Sequence, residues 1–186
     1  MEIIAPMFAS SISSPGKLLL ICEALRVPEG ETSLSIYENC LIETAAKKKH
    51  HMPFDFDLKY SFTTSPPCIS FEKQDERVQY ALKSDADLQA CRELLKGRLN
   101  QRGFHEQFKP KKKIGKGNFA SVYLAEKLEI GKNFAIKAFS KEAAYSEDKG
   151  KECLIKEIEI MRSLNHKCCM KLHEVFESEN SLYIVV

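Results

Sequence analysis

Apolar residues occur in short runs in the first half of the chain and mostly in stripes after that. Leu18 to Cys22, Leu34 to Tyr37, Phe54 to Phe62, Ile69 to Phe71 and Val78 to Leu82 are short apolar runs, which is the length of β-strands. Pro28-Glu29-Gly30 and Ser65-Pro66-Pro67 supply turns between some of them, so the block predicts antiparallel β. The period then changes. Leu88, Cys91, Leu94, Leu95 and Leu99 recur at helical spacing, with Ser84 or Asp85 placed to cap the start and Gly103 beyond the end, which predicts one amphipathic helix closing the block. Residues 1–16, with Ser10, Ser11, Ser13, Ser14, Pro15 and Gly16, read as a flexible lead-in.

A second pattern begins beyond the helix. Val122 and Leu124 alternate with Ser121, Tyr123 and Ala125, a polar Gly131-Lys132-Asn133 follows, and Phe134 to Phe139 is apolar again. The unit reads β, glycine loop, β, turn, β. A dinucleotide-binding loop would follow a strand and open a helix. Here the glycines open a strand, which excludes that fold.

The glycine segment Ile114-Gly115-Lys116-Gly117-Asn118-Phe119-Ala120-Ser121-Val122 therefore spans a hairpin tip. Glycines let main-chain N–H groups approach a polyphosphate without a Cβ in the way, and Phe119 would cap the tip. Strand period two puts Ala135 and Lys137 on one face, a small residue where a flat base could lie and an ammonium where its phosphates would be. A lysine on a buried face needs a partner. Leu154, Glu157, Met161 and Leu164 fall at spacings of three, four and three, one stripe of an α-helix, so a carboxylate sits within an apolar face. Glu152 and Glu159 lie off that stripe. An arbitrary helix glutamate is simply solvated; the position of Glu157 marks it as the partner of Lys137.

On these residues, 108–186 resembles the small lobe of a eukaryotic protein kinase. Gly115, Gly117 and Val122 match the glycine-rich loop, Ala135 and Lys137 the strand-borne A-x-K, and Glu157 the glutamate of the regulatory helix. Ile160-Met161 with Leu164-Asn165-His166, and Lys171-Leu172-His173-Glu174-Val175-Phe176, resemble the end of that helix and the strand after it; Leu182 to Val185 resembles the strand entering the hinge. The resemblance implies ATP with Mg2+ as cofactor, held at Ile114 to Val122, Ala135, Lys137 and Glu157, and a protein substrate phosphorylated on hydroxyls. Glu157 to Leu164 and His173 to Val186 resemble the calcium/calmodulin-dependent group, which implies Ser/Thr specificity. Ala120 takes the place of the usual third glycine and is small enough to keep the loop. No H-R-D, D-F-G or A-P-E occurs up to Val186. The expectation is thus a fragment of a larger enzyme, with no catalytic residue and no magnesium ligand of its own and inactive by itself. Asp55-Phe56-Asp57 lies upstream and lacks the glycine, so it reads as part of an ordinary β region.

Residues 17–104, several strands and then one helix, resemble a pleckstrin-homology domain, with Cys91 near the place of that family's usual tryptophan. Such a domain implies a phosphoinositide or protein ligand. Lys17 and Arg26 are isolated among Glu23, Glu29 and Glu31, which argues for a protein-docking or autoinhibitory role at least as strongly as for lipid. The expected fold class is α+β: an antiparallel β domain closed by a helix, then a kinase small lobe, 108–186, of five antiparallel strands and one helix.

Composition changes this picture little. The 186 residues are 44% hydrophobic and 29% charged with a formal net charge of +2, which gives no global pull toward nucleic acid or membrane. Lys47 to Lys49 with His50 and His51 reads as a solvated polar loop. Lys109-Pro110-Lys111-Lys112-Lys113 has the look of a nuclear-localisation string but sits where the first strand of the second half begins. Nucleic acid is not an expected partner. No apolar run approaches a membrane span, and Met1-Glu2-Ile3-Ile4 is not a basic leader. Seven scattered cysteines without a C-x-x-C pair suit reduced thiols and a cytoplasmic protein, nuclear as the alternative, and Cys168-Cys169 is expected to pack in the core. The competing class is a non-catalytic adaptor that uses both halves as docking surfaces.

Overall fold

A computed structural model describes residues 7–9, 12–46, 48–117 and 119–186. The chain divides into two compact units, Met1–Leu99 and Asn100–Val186.

The first unit is a seven-stranded antiparallel sheet: β1 (Leu18–Val27), β2 (Gly30–Tyr37), β3 (Cys40–Ala45), β4 (Lys48–Pro53), β5 (Lys59–Thr64), β6 (Pro67–Lys73) and β7 (Glu76–Leu82), followed by helix α1 (Asp85–Leu95). The strands lie in the order β4-β3-β2-β1-β7-β6-β5. Alternate residues point inward, so that Cys22, Leu34, Ile36, Leu41, Met52, Tyr60, Phe71 and Tyr80 share one core with Leu88, Cys91, Leu95 and Leu99. Ser84 caps α1 by accepting from the Asp87 N–H at 3.1 Å.

Three expectations fail in this unit. The Lys47 to His51 run is not a loop: Lys48 to His51 lie on β4, with His50 opposite Glu43 and His51 opposite Ile42, while Lys47 falls outside the described residues. An edge strand needs little apolar surface, and the buried Met52 supplies it. Asp55-Phe56-Asp57 is not a strand but a turn, because the Asp55 carboxylate accepts from the N–H groups of Asp57 at 3.1 Å and Leu58 at 2.9 Å and from Lys73 at 2.5 Å. The described part of the lead-in is anchored: Met7 is 1% exposed and the Ala9 N–H donates to the His51 carbonyl at 2.7 Å.

The second unit contains β8 (Asn100–Gln101), α2 (Phe104–Gln107), β9 (Phe108–Lys116), β10 (Ala120–Lys127), β11 (Lys132–Ser140), α3 (Lys141–Tyr145), α4 (Gly150–Ser163), β12 (Glu174–Glu177) and β13 (Ser181–Val185). The order β8-β12-β13-β11-β10-β9 is antiparallel except for β8, which pairs parallel to β12. The expected five strands and one helix are thus joined by β8 and by the short helices α2 and α3. Residues 100–104, read from sequence as the end of the first block, belong to this unit. One face of the sheet is sealed by Phe104, Phe108, Ala125, Ile136, Phe176 and Val185, with Phe104 stacked on Tyr183 at 4.0 Å between centroids.

Lys132 and Asn133, expected in a turn, start β11; the turn is one step earlier and closes on Gly131 at φ 64°, a conformation that favours glycine. Helix α4 starts at Gly150, where a Cβ would stand 1.9 Å from the Ala144 carbonyl oxygen, so no other residue fits. No helix among the described residues is long and apolar enough to cross a membrane.

Candidate functional site

The loop between β9 and β10 is closed by the Gly117 N–H donating to the Ala120 carbonyl at 2.7 Å. Register then fixes what shares a face. Val122 lies opposite both Gly115 on β9 and Lys137 on β11, and Leu124 lies opposite Ala135; directly opposed residues project to the same side of a sheet. Val122, Leu124, Ala135 and Lys137 therefore form one half-buried surface, while Ala125 and Ile136 are buried on the other side. A Cβ on Gly115 would come 3.4 Å from the Val122 Cβ, so the glycine keeps this surface low at the loop.

The remaining loop residues divide. Ile114 and Phe119 are exposed, at 50% and 45%, and Lys116 is exposed at the strand end. Ala120 is 8% exposed, a crowded position that an alanine methyl fills. Ser121 projects to the far face, where it helps line a cavity of about 370 Å³ with Tyr123, Ala138 and Tyr183. It is therefore not with Lys137. Asn118 lies outside the described residues.

The Lys137 ammonium donates to Glu157 Oε1 at 2.5 Å, joining β11 to α4 across 20 residues of sequence. The two side chains are 37% and 41% exposed, so the expected buried lysine is in fact half open and can meet an anion from solution. Its Nζ also lies 4.8 Å from the Phe139 ring centroid. The stripe that holds α4 down is not the one read from sequence: Leu154 and Ile158 are buried, Met161 is partly so, and Leu164 is 43% exposed. The buried edge is thus rotated toward Ile158, with Glu157 at its margin rather than its centre.

Sequence reasoning missed Phe139 and Ile158. Period two from Lys137 would have found Phe139 on the same strand face, and the step of four from Leu154 leads to Ile158. Cys168 and Cys169 are exposed rather than packed in the core, because they sit in a turn after α4 has ended. Among the described residues no three His, Cys, Asp or Glu side chains gather as a metal would require.

Residues 108–186 match the family model of the protein kinase domain. Calcium-dependent protein kinase 4 of Plasmodium falciparum is 40% identical over 82 residues, which is 44% of this chain and 15% of that protein. The probable serine/threonine-protein kinase fhkC of Dictyostelium discoideum is 33% identical over 88 residues, 47% of this chain and 15% of that protein. The chain thus spans about 15% of the length of these curated relatives. The half of the chain that carries the hairpin, Lys137 and Glu157 is, over residues 108–186, similar to the protein kinase domain.

Proposed function

We propose that residues 108–186 are the ATP-binding small lobe of a protein serine/threonine kinase, which as a whole transfers the γ-phosphate of ATP to protein hydroxyls. The observation that carries this reading is the Lys137–Glu157 ion pair at 2.5 Å on the face shared by Val122 and Ala135. Val122 and Ala135 cover one side of the adenine, the amides of the Gly115–Gly117 segment meet the phosphates, and Lys137, held in place by Glu157, sets its charge beside them. Magnesium supplies charge neutralisation in this chemistry, but the carboxylate at hand, Glu157, is taken up by Lys137, so the residues present do not fit the ion and no step runs through it.

The names of the relatives favour Ser/Thr specificity and a calcium-dependent kind of kinase. For the first unit, seven antiparallel strands closed by α1 support a pleckstrin-homology-like domain. Its ligand is a protein or a phosphoinositide: Arg26 is bonded to Glu43 at 2.9 Å and lies 3.3 Å from Glu29 and Lys83 is paired with Glu23, which favours a protein on the first hairpin, while Lys48 and Lys49 are exposed on β4. The protein is cytoplasmic in this reading.

The test is titration of the 186-residue polypeptide with ATP by calorimetry. One face of the adenine pocket, with no cluster of metal ligands among the described residues, gives a Kd on the order of 1 mM, about 4 kcal/mol, and Lys137→Ala abolishes it. Affinity unchanged in Lys137→Ala would overturn the reading.

A further inference from the structure

We infer that Asn100, eight residues before the region matching the kinase domain, is a positioning residue that holds α4 so that Glu157 meets Lys137. This rests on the reading of Lys137 and Glu157 as the nucleotide site. Asn100 is completely buried and both ends of its amide are used. Its Oδ1 accepts from Arg162 Nη2 at 2.9 Å, and its Nδ2 donates to Glu177 Oε2 at 2.8 Å. Arg162 is in the last turn of α4, and Glu177 ends β12. The other Glu177 oxygen accepts from Lys141 at 2.7 Å, and its carbonyl accepts from Arg102 at 3.0 Å. One neutral amide thus bridges a guanidinium on the helix and a carboxylate on the sheet.

What makes this more than packing is how few apolar side chains secure α4. Its 14 residues include only Leu154 and Ile158 as buried anchors, and the Lys137–Glu157 pair is half exposed. Arg162 lies about 7.5 Å along the axis from Glu157, so the Asn100 bond fixes the end of the helix against tilting about Leu154, a motion that would carry Glu157 with it. Without it, the tilt that separates Glu157 from Lys137 meets little resistance. Asparagine suits the position because aspartate would still accept from Arg162 but would face Glu177 with a like charge, and an apolar residue would take one hydrogen-bond partner from each of Arg162 and Glu177.

The chemistry supplies its own rescue. In the double variant Asn100→Asp with Glu177→Gln, the carboxylate moves to position 100 and accepts from both Arg162 and the new amide, whose oxygen still accepts from Lys141. Hydrogen exchange of the full chain, read by mass spectrometry, is the measurement. Asn100→Ala and Asn100→Asp speed exchange of the amides of 154–163 by about tenfold while α1 amides keep their rates, and the double variant restores them to within about twofold. A wild-type exchange pattern in Asn100→Asp, or no recovery in the double variant, overturns the inference; filling space alone would not tell these two near-isosteric variants apart. If Asn100→Ala unfolds the second unit entirely, the single and double aspartate variants still decide. ATP-induced spectral changes absent from every variant including wild type, with α4 still following the swap, would support the inference and overturn the nucleotide reading instead.

Discussion

Helices α1 and α4 each lie against a sheet, but they are secured in different ways. The 11 residues of α1 bury Leu88, Cys91 and Leu95 and start on a Ser84 side-chain cap, and Leu95 is fully shielded. The 14 residues of α4 bury two side chains, and the helix starts on Lys149 at φ 57° with no side-chain cap bond. Where α1 relies on apolar area, α4 relies on polar ties, Lys137–Glu157 at its middle and Arg162–Asn100 in its last turn. Apolar burial is non-directional and makes a fixed plug. Polar ties have defined geometry and can be exchanged for a ligand, which suits a helix that delivers one carboxylate to one lysine.

The largest difference comes from emptying the two anchors. Leu95→Ala lowers the stability of the first unit by about 3–5 kcal/mol, whereas Ile158→Ala lowers that of the second by about 2–3 kcal/mol, because a loosely held helix settles into the gap. Denaturant titration followed by unit-resolved hydrogen exchange checks this, and equal losses would erase the distinction. The caps come next. Ser84→Ala destabilises by about 1 kcal/mol, while Lys149→Gly stabilises by a few tenths to about 1 kcal/mol, since glycine accepts a positive φ without the Cβ penalty. Opposite signs in thermal melts are the expected result.

The smallest effect is one of pH. The hydrogen bond from Lys111, and then its charge, hold the half-exposed Glu126 carboxyl below the usual carboxylate range. A depressed folded pKa gives stability that is present above the unfolded value and lost as pH falls through the folded one. Glu126→Gln therefore flattens slightly the acid limb of a stability–pH curve below about pH 4.5. An acid limb identical to wild type contradicts the pairing.

Much of this contrast could be read from the residues beforehand, and what could not has physical causes. The α1 stripe was legible because a plug must be apolar on a whole face, and the Lys137–Glu157 pair because a strand period and a helix period point at each other. Strand β4 was hidden: an edge strand carrying Lys48, Lys49, His50 and His51 has little apolar surface to show. The buried face of α4 was misjudged toward Leu164 because a stripe containing Glu157 and one containing Ile158 differ by a single step, and only packing chooses between them. Asn100 carried no signal at all, since its partners lie 62 and 77 residues away.

The most direct measurement is the map of amide shifts in the 186-residue chain on adding ATP. The account predicts shifts at Gly115, Gly117, Val122, Ala135 and Lys137 and along α4 near Glu157, with all of them lost in Lys137→Ala. Shifts centred instead on Ser121, Tyr123, Ala138 and Tyr183, around the cavity on the opposite face, and persisting in Lys137→Ala, would contradict it.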